Sequence, residues 1–252
     1  VTYTVVNLTT LKFLIEQGDD VTKVVPSLVT DMRDLFKNNT TFNQDISTWD
    51  VSNVTDMVGM FRNTPFDQPI GDWDVSNVTN MEYMFFEATA FNQPIGDWDV
   101  SSVTNMIDMF AGTAFNQPIG NWDVSNVTTM WYMFDASAFN QPIGDWDVSS
   151  VIDIYGMFFQ SAFNQPIGNW DVSNVTNMEY MFYSATAFNQ NISNWDVSSV
   201  TNMESMFQSA AAFNQNLSSW NVDGVTSCNN LCENTTSWTL PKPNFTNCDT
   251  GD

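Results

Sequence analysis

Tryptophan recurs along this chain at a fixed interval, and that interval limits the possible folds more than any other feature. Trp49, Trp73, Trp98, Trp122, Trp146, Trp170, Trp195 and Trp220 stand 24 or 25 residues apart throughout. A unit this short cannot enclose a core alone, so each copy must bury its apolar side against its neighbours. The copy from Phe66 to Phe85 reads Phe-Asp-Gln-Pro-Ile-Gly-Asp-Trp-Asp-Val-Ser-Asn-Val-Thr-Asn-Met-Glu-Tyr-Met-Phe. Its apolar residues are Ile70, Trp73, Val75, Val78, Met81, Met84 and Phe85, with Phe91 opening the next copy. Their spacings of 3, 2, 3, 3, 3, 1 and 6 match neither one helical face nor strict alternation. A coil turning around an interior accounts for them, with each apolar position forming a ladder from copy to copy.

The expected fold class is therefore a β-rich repeat solenoid of about eight coils. Each coil is expected to hold a short parallel strand and one helical or 3₁₀ turn. Ile-Gly-Asp-Trp-Asp-Val is the strand candidate, since β-formers are bounded there by Gly and Ser-Asn. Asn-Met-Glu-Tyr-Met-Phe, with apolar residues three apart, is the helical or 3₁₀ candidate. Phe-Asn-Gln-Pro is extended, because a residue before proline is pushed out of the helical region. Parallel pairing at about 4.8 Å per coil would give a body on the order of 40 Å long. Phe61 to Phe66 is one residue shorter than Phe85 to Phe91, so the outer loop falls there.

Charge narrows the partners. Six cations stand against 29 carboxylates, a net charge of −23, and no Lys, Arg or His lies between Asn63 and Pro241. Nucleic acid requires cations to displace phosphate counterions, and an anionic membrane surface requires them too, so neither is an expected partner. No run of 18 apolar residues exists to span a bilayer. The chain has no histidine, which removes imidazole acid–base chemistry and imidazole metal ligation. Its carboxylate pairs repeat from copy to copy, whereas a catalytic pair is normally one perturbed site. The sequence therefore reads as that of a non-enzyme.

The unit Phe-Asn-Gln-(Pro/Asp/Asn)-Ile-x-x-Trp-Asp-Val-Ser-x-Val-Thr-x-Met-x-x-Met-Phe, taken over Val29 to Leu231, resembles the repeat of the BspA-like leucine-rich-repeat surface proteins. The resemblance implies a leucine-rich-repeat-like solenoid, an extracellular or cell-surface location, and a part in adhesion or surface structure. The division that follows is a cap at residues 1–28, a solenoid at 29–231 and a cap or tail at 232–252. In the first segment Val1 to Val6 reads as a strand and Leu11 to Gln17 as a short helix. At the other end Cys228 stands in a Met column and Leu231-Cys232 replaces Met-Phe. A bridge from Cys232, or from Cys228, to Cys248 would pin the tail over the open end. Three free thiols or a bridge to a neighbouring chain are the alternatives.

Several polar columns could carry chemistry. Asp50, Asp74, Asp99, Asp123, Asp147, Asp171 and Asp196 follow the tryptophans, with Asn221 last, and a patchier column of Asp72, Asp97 and Asp145 precedes them. Calcium held between coils at Asp74, Asp99, Asp123, Asp147 and Asp171 is one reading, and the only cofactor considered. The other is an Asx-turn, in which each Asp accepts a backbone N–H two residues on; the following Val-Ser fits it. Exposed like charges about 5 Å apart cost only about 0.8 kcal/mol per pair, so the column needs no metal, and the turn is preferred. Gln44, Gln68, Gln93, Gln117, Gln141, Gln165, Gln190 and Gln215 form a column without exception, read as amides bonding along the stack. The threonine column, Thr55 to Thr226, is single and broken by Ile152, too little for an ice-binding face.

Eleven sequons occur, at Asn7, Asn38, Asn39, Asn53, Asn77, Asn126, Asn174, Asn191, Asn216, Asn234 and Asn244. Four of them share the Ser-Asn-Val-Thr slot and would carry a row of sugars in a secreting eukaryote. The expected function is a structural or display module of a cell surface or extracellular filament, with self-association or other surface and matrix proteins as partners. The alternative is an adhesion domain binding a host protein or glycan through one face. Trp131, Tyr83, Tyr132, Tyr155, Tyr180 and Tyr183 would mark that face if they form one patch.

Overall fold

The computed structural model describes residues 2–251. Near the N-terminus, β1 (Thr4–Val5) pairs in parallel with β2 (Val24–Val25), and α1 (Leu8–Gln17) connects them. Asn7 caps α1 by accepting the Thr10 N–H at 3.0 Å, and Gly18 ends it in the left-handed conformation, where a Cβ would be strained. The helix begins three residues earlier than its apolar spacing indicates, because the Asn7 cap places the first turn at Leu8. Val1, the start of the expected strand, lies outside the described residues. Leu11 is fully buried, and Leu8, Leu14 and Ile15 pack on the core. This segment also supplies polar partners to the first copy: Trp49 Nε1 donates to Val21 O at 3.0 Å, and Gln44 Oε1 accepts from Val21 N at 2.8 Å.

From Asp31 onward the chain is a repeat protein in which each copy lies against the next. Single-residue parallel bridges join Asp31, Asp56, Asn80, Asn105, Thr129, Asp153, Asn177, Asn202 and Ser227 in order. Beyond each bridge, alternate N–H groups donate forward. Met81 donates to Asn105 O at 3.1 Å, Tyr83 to Ile107 O at 2.8 Å, Phe85 to Met109 O at 3.1 Å and Glu87 to Ala111 O at 2.9 Å. The N–H groups in between close four-residue turns, Met84 to Met81 O at 3.2 Å and Phe86 to Tyr83 O at 3.1 Å.

Both expected elements of the coil are corrected by this pattern. Asn-Met-Glu-Tyr-Met-Phe is not a helical or 3₁₀ segment. A helix would consume its N–H groups internally, whereas here half of them serve the next copy, and positive φ at Tyr83 and Glu87 breaks any right-handed run. Ile-Gly-Asp-Trp-Asp-Val is not a strand. It turns at Ile70–Trp73, where Trp73 N donates to Ile70 O at 3.1 Å, and again at Val75–Val78. Adjacent copies come too close here for a side chain: a Cβ on Gly71 would lie 2.6 Å from the Pro94 carbonyl oxygen.

The interior is built of aromatic ladders. Phe61, Phe85, Phe110, Phe134, Phe158 and Phe182 stack from copy to copy with ring centroids 5.6–5.9 Å apart. Each also stacks on the phenylalanine that follows it along the chain, as Phe85 does on Phe91 at 3.8 Å and Phe134 on Phe139 at 4.2 Å. Trp98, Trp122, Trp146 and Trp170 are buried, and each Nε1 donates at 3.0–3.1 Å to an isoleucine carbonyl one copy back. The core thus satisfies its largest polar handle by the same step that stacks it.

The one-residue length difference has a local cause. In long copies Ala88 N bonds Phe85 O and Phe91 N bonds Ala88 O. In short copies a buried hydroxyl stands in: Thr64 Oγ1 donates to Phe61 O at 2.7 Å and accepts from Phe66 N at 3.4 Å. The register runs on past Leu231. Thr235 N donates to Cys232 O, and Trp238 takes the place of the second phenylalanine, edge-on to Phe213 at 4.9 Å.

Candidate functional site

Each coil has two exposed sides, and they differ in kind. On the tryptophan side the copies repeat one hydrogen-bond scheme. Asp99 Oδ1 accepts the Ser101 N–H at 3.1 Å and the Ser101 hydroxyl at 2.6 Å; Asp74, Asp123 and Asp147 do the same, and Asp171 accepts from Ser173 N at 3.1 Å. The serine hydroxyl first, and its N–H second, hold Asp74, Asp99 and Asp147 below the usual carboxylate range. This is Asx-turn geometry. No group of three or more His, Cys, Asp or Glu among the described residues is arranged to hold a metal ion.

The glutamine column bonds along the stack, though not amide to identical amide. Gln117 Nε2 donates to Asn92 Oδ1 at 3.1 Å, and the same oxygen accepts Asn116 N at 2.9 Å. Each asparagine thereby receives two donors from the following copy. In the Ser-Asn-Val-Thr slot Asn77, Asn126 and Asn174 are exposed, and each Nδ2 donates to a serine carbonyl one copy back at 2.8 Å; Asn53 does so at 3.0 Å. Asn191 and Asn216 accept the N–H of Ser193 and Ser218, and Asn7 caps α1. Asn38 and Asn234 sit at φ 61° and 60° on exposed turns, Asn244 is exposed, and Asn39 is half-buried.

The turn side is where copies diverge. One left-handed slot, φ 49–60°, holds Asp34, Gly59, Tyr83, Asp108, Tyr132, Gly156, Tyr180, Ser205 and Asn230 in succession. Three residues later the series is Lys37, Arg62, Phe86, Ala111, Asp135, Phe159, Tyr183, Gln208 and Glu233. Gly, Asn and Asp suit a left-handed backbone, whereas a side chain without such tolerance costs about 1–2 kcal/mol there. Three tyrosines nonetheless occupy it. Tyr132 packs its ring over Gly156 so closely that any Cβ at that glycine would clash.

Five of the six expected aromatics, all but Tyr83, form one patch. Trp131 and Tyr132 meet Tyr155 edge-on at 6.1 and 4.9 Å; Tyr155 meets Tyr180 at 5.6 Å; Tyr180 meets Tyr183 at 5.7 Å. Phe159 joins them, 5.8 Å from Tyr132 and stacked on Tyr183 at 4.7 Å. Trp131 is 41% exposed and the others are half-buried. Tyr83 lies apart, paired with Phe86 at 5.7 Å, and Arg62 sits against both rings at 4.8 and 4.9 Å. Phe86, Phe159 and Arg62 carry no individual signal in the sequence; only their common slot, three residues after the left-handed position, singles them out.

Carboxylates border the aromatics. Burial pushes Asp108 up to about 7, with Asp135 and Glu82 adding to the shift and Arg62 opposing it. Burial and Glu87 push Asp135 up to about 6, and its buried Oδ1 has no hydrogen-bond partner in the structure. Burial also raises Asp153, which hydrogen-bonds to Trp131, and Glu179, which accepts from Asn202 Nδ2 at 2.8 Å. Burial and a hydrogen bond with Tyr155 raise Tyr132. The side therefore presents rings and carboxylates together, with no cation of its own between Asn63 and Pro241.

At the C-terminal end the disulfide joins Cys228 to Cys248, with Cα atoms 5.9 Å apart. Of the two expected partners of Cys248 the bridge takes Cys228, not Cys232: Cys232 is buried in the second position of the former Met-Phe pair, where Lys242 Nζ donates to its sulfur at 2.8 Å. No helix among the described residues is long and apolar enough to cross a membrane.

A family model described as a Mycoplasma protein of unknown function, DUF285, matches residues 8–114, 96–172 and 159–245. The three overlapping matches extend from within α1 to beyond Trp238, as a recurring unit would produce. No curated protein matches the chain.

Proposed function

This chain belongs to the DUF285 family, and on that premise we propose that it is a non-enzymatic, extracellular recognition module. In this reading it is a leucine-rich-repeat-like solenoid of the BspA-like kind, capped by residues 1–28 and by the disulfide-bearing tail, that meets a surface or matrix partner through its turn side. One observation carries it: six aromatic residues from three successive copies touch in a single patch, at slots where most other copies hold small, aliphatic, polar or charged residues such as Gly, Ala, Val, Asp, Ser, Glu or Lys. Two of the six, Tyr132 and Tyr180, sit in a left-handed position that disfavours them, and strain of this kind concentrates where a protein acts. An extracellular setting agrees with the Cys228–Cys248 disulfide. The lack of histidine agrees with a binding role.

The test is adhesion. Beads carrying the full chain are measured against host cells and against panels of purified matrix proteins and glycans, beside beads carrying Trp131→Ser with Tyr155→Ser. The wild type should adhere and the double variant should lose most of that adhesion while keeping its melting temperature. Equal adhesion of the two would sink the reading. A second reading, assembly end to end into a filament, has its own support: Tyr3, Val5, Phe13 and Leu28 are 46–66% exposed on the N-terminal segment. Electron microscopy showing only dispersed monomers at high concentration would dispose of it.

A further inference from the structure

The chain contains its own example of what the turn side accepts. Arg62 belongs to the copy before Tyr83, and its guanidinium lies 4.8 Å from the Tyr83 ring centre and 4.9 Å from that of Phe86. Tyr83 and Phe86 occupy the left-handed slot and the slot three residues on, with rings 5.7 Å apart at 80°. Tyr180 and Tyr183 occupy the same two slots with rings 5.7 Å apart at 81°. There the preceding copy offers Phe159 rather than a cation. The electrostatic surroundings are otherwise of the kind that attracts one: Glu179 and Glu204 both act on the Tyr180 hydroxyl, and Asp135 and Asp108 act on that of Tyr132. Asp135, whose buried Oδ1 has no hydrogen-bond partner, adds a carboxylate beside the Tyr132 ring.

Resting on the recognition reading above, we propose that the patch around Tyr132, Tyr155 and Tyr180 binds a basic polypeptide segment, seating arginine side chains against its rings and toward Asp135, Glu179 and Glu204. Guanidinium groups stack on aromatic faces and donate in a fork that suits carboxylates, so one side chain engages both features. Charge complementarity selects the same partner, since no cation of this chain lies within the patch to compete and any acidic or phosphorylated ligand would be repelled. A neutral glycan could stack on the rings and donate hydroxyls to the carboxylates, but it would leave their negative charge uncompensated, as an arginine would not.

The probe is a fluorescein-labelled peptide of five Arg-Gly pairs, titrated into the full chain by anisotropy, beside a Gln-Gly peptide of equal length and a neutral oligosaccharide. The arginine peptide should bind saturably at one site per chain, and Tyr155→Ser or Tyr180→Ser should each weaken it about tenfold. Asp99→Asn with Asp123→Asn removes two charges from the tryptophan side and should leave binding within about twofold, because screened distant charges contribute little. Melting curves confirm that each variant is folded. Loss of binding in the tryptophan-side variant equal to that in Tyr155→Ser would reduce the effect to overall charge and overturn the proposal. Binding of the oligosaccharide alone, abolished by Tyr155→Ser, would also overturn it while leaving the recognition reading in place. Failure of every probe to bind the wild type overturns it as well, and the adhesion assay then decides the broader reading separately.

Discussion

The tryptophan side and the turn side of each coil are made by one chain under one period, yet they treat sequence oppositely. On the tryptophan side the polar residues that recur in every copy have a fixed duty. Asp accepts from Ser two residues on, Gln donates to the Asn one copy back, and indole Nε1 donates to an isoleucine carbonyl. A change there interrupts a bond that all copies make, so the copies agree. On the turn side the backbone carries most of the ladder, through alternate N–H groups such as those of Tyr83 and Phe85, and side-chain bonds such as Asn202 Nδ2 to Glu179 occur only in some copies. Side chains are released from that duty and diverge into Arg, Tyr, Asp, Phe, Gln and Glu. Repetition holds the coil together, and the departures from it are free to recognise something.

The sharpest way to break this comparison is inside the core. Phe134 is fully buried between Phe110 and Phe158 and stacked on Phe139. Phe134→Ala should cost about 3–5 kcal/mol in denaturant unfolding, because neighbouring rings locked in ladders cannot collapse into the space. A loss below about 1 kcal/mol would mean that the ladders are not what holds the copies together.

Next in size is the tail. The Cys228–Cys248 bridge closes a loop of 20 residues and holds the segment that carries Asn247 and Thr250 against the last copies. Cys248→Ser should cost about 3 kcal/mol on loop-closure grounds. Since each copy is bridged to the one before and the one after, the loss should concentrate at the end. Hydrogen exchange should quicken at Leu231 and Trp238 and remain unchanged near Phe110; uniform quickening would show that the chain unfolds as one block.

Much of this was legible beforehand, for reasons that differ by position. Trp73, Val75, Val78, Met81 and Phe85 announce themselves because burial leaves few residue types able to fill a column. Asp99 is legible because an Asx-turn is local, needing only the two following residues. The bridge at Asn80 and Asn105 was not, since its donors and acceptors are backbone groups and leave no mark on composition. Ile-Gly-Asp-Trp-Asp-Val has strand composition, but the Pro94 carbonyl pressing on Gly71 is a contact 23 residues away and overrides it. The aromatic patch was half legible: Tyr132 and Tyr155 stood out as exceptions, while Phe159 was hidden among the many core phenylalanines. Cys228 and Cys232 lie four residues apart in one turn, and only the path of the tail selects between them.

A smaller effect comes from pH, and it separates the two sides by sign. Asp108 and Asp135 are raised to about 7 and about 6 by burial first, from an ordinary value of 3.8. Between pH about 4 and 7 the folded chain therefore binds more protons than the unfolded one, and stability should fall as pH rises through that window. The exposed Asp74, Asp99, Asp147 and Asp196 are lowered instead, chiefly by serine hydroxyls, so their contribution is lost only as pH drops below about 4. Melting temperature should peak near pH 4–5, with a decline of about 2–4 °C by pH 7, corresponding to about 1 kcal/mol in a chain of this size. Asp108→Asn should flatten that decline, and a profile unchanged by the substitution would remove the turn side as its source.

The smallest expected change in stability belongs to the residue expected to matter most for binding. Trp131 is 41% exposed, and its ring touches Tyr155 at 6.1 Å without entering either phenylalanine ladder. Its backbone carbonyl, not its side chain, serves the copy ladder by accepting Asp108 N at 2.8 Å. Trp131→Ala keeps that carbonyl and removes the ring with its hydrogen bond to Asp153, so unfolding should shift by no more than about 1 kcal/mol. Adhesion of the same variant should fall several-fold, because an exposed indole contributes to an interface most of what it withholds from the fold. A variant that loses stability and keeps adhesion would reverse the comparison, moving Trp131 into the structural class and leaving Tyr132, Tyr155 and Tyr180 to bear recognition without it.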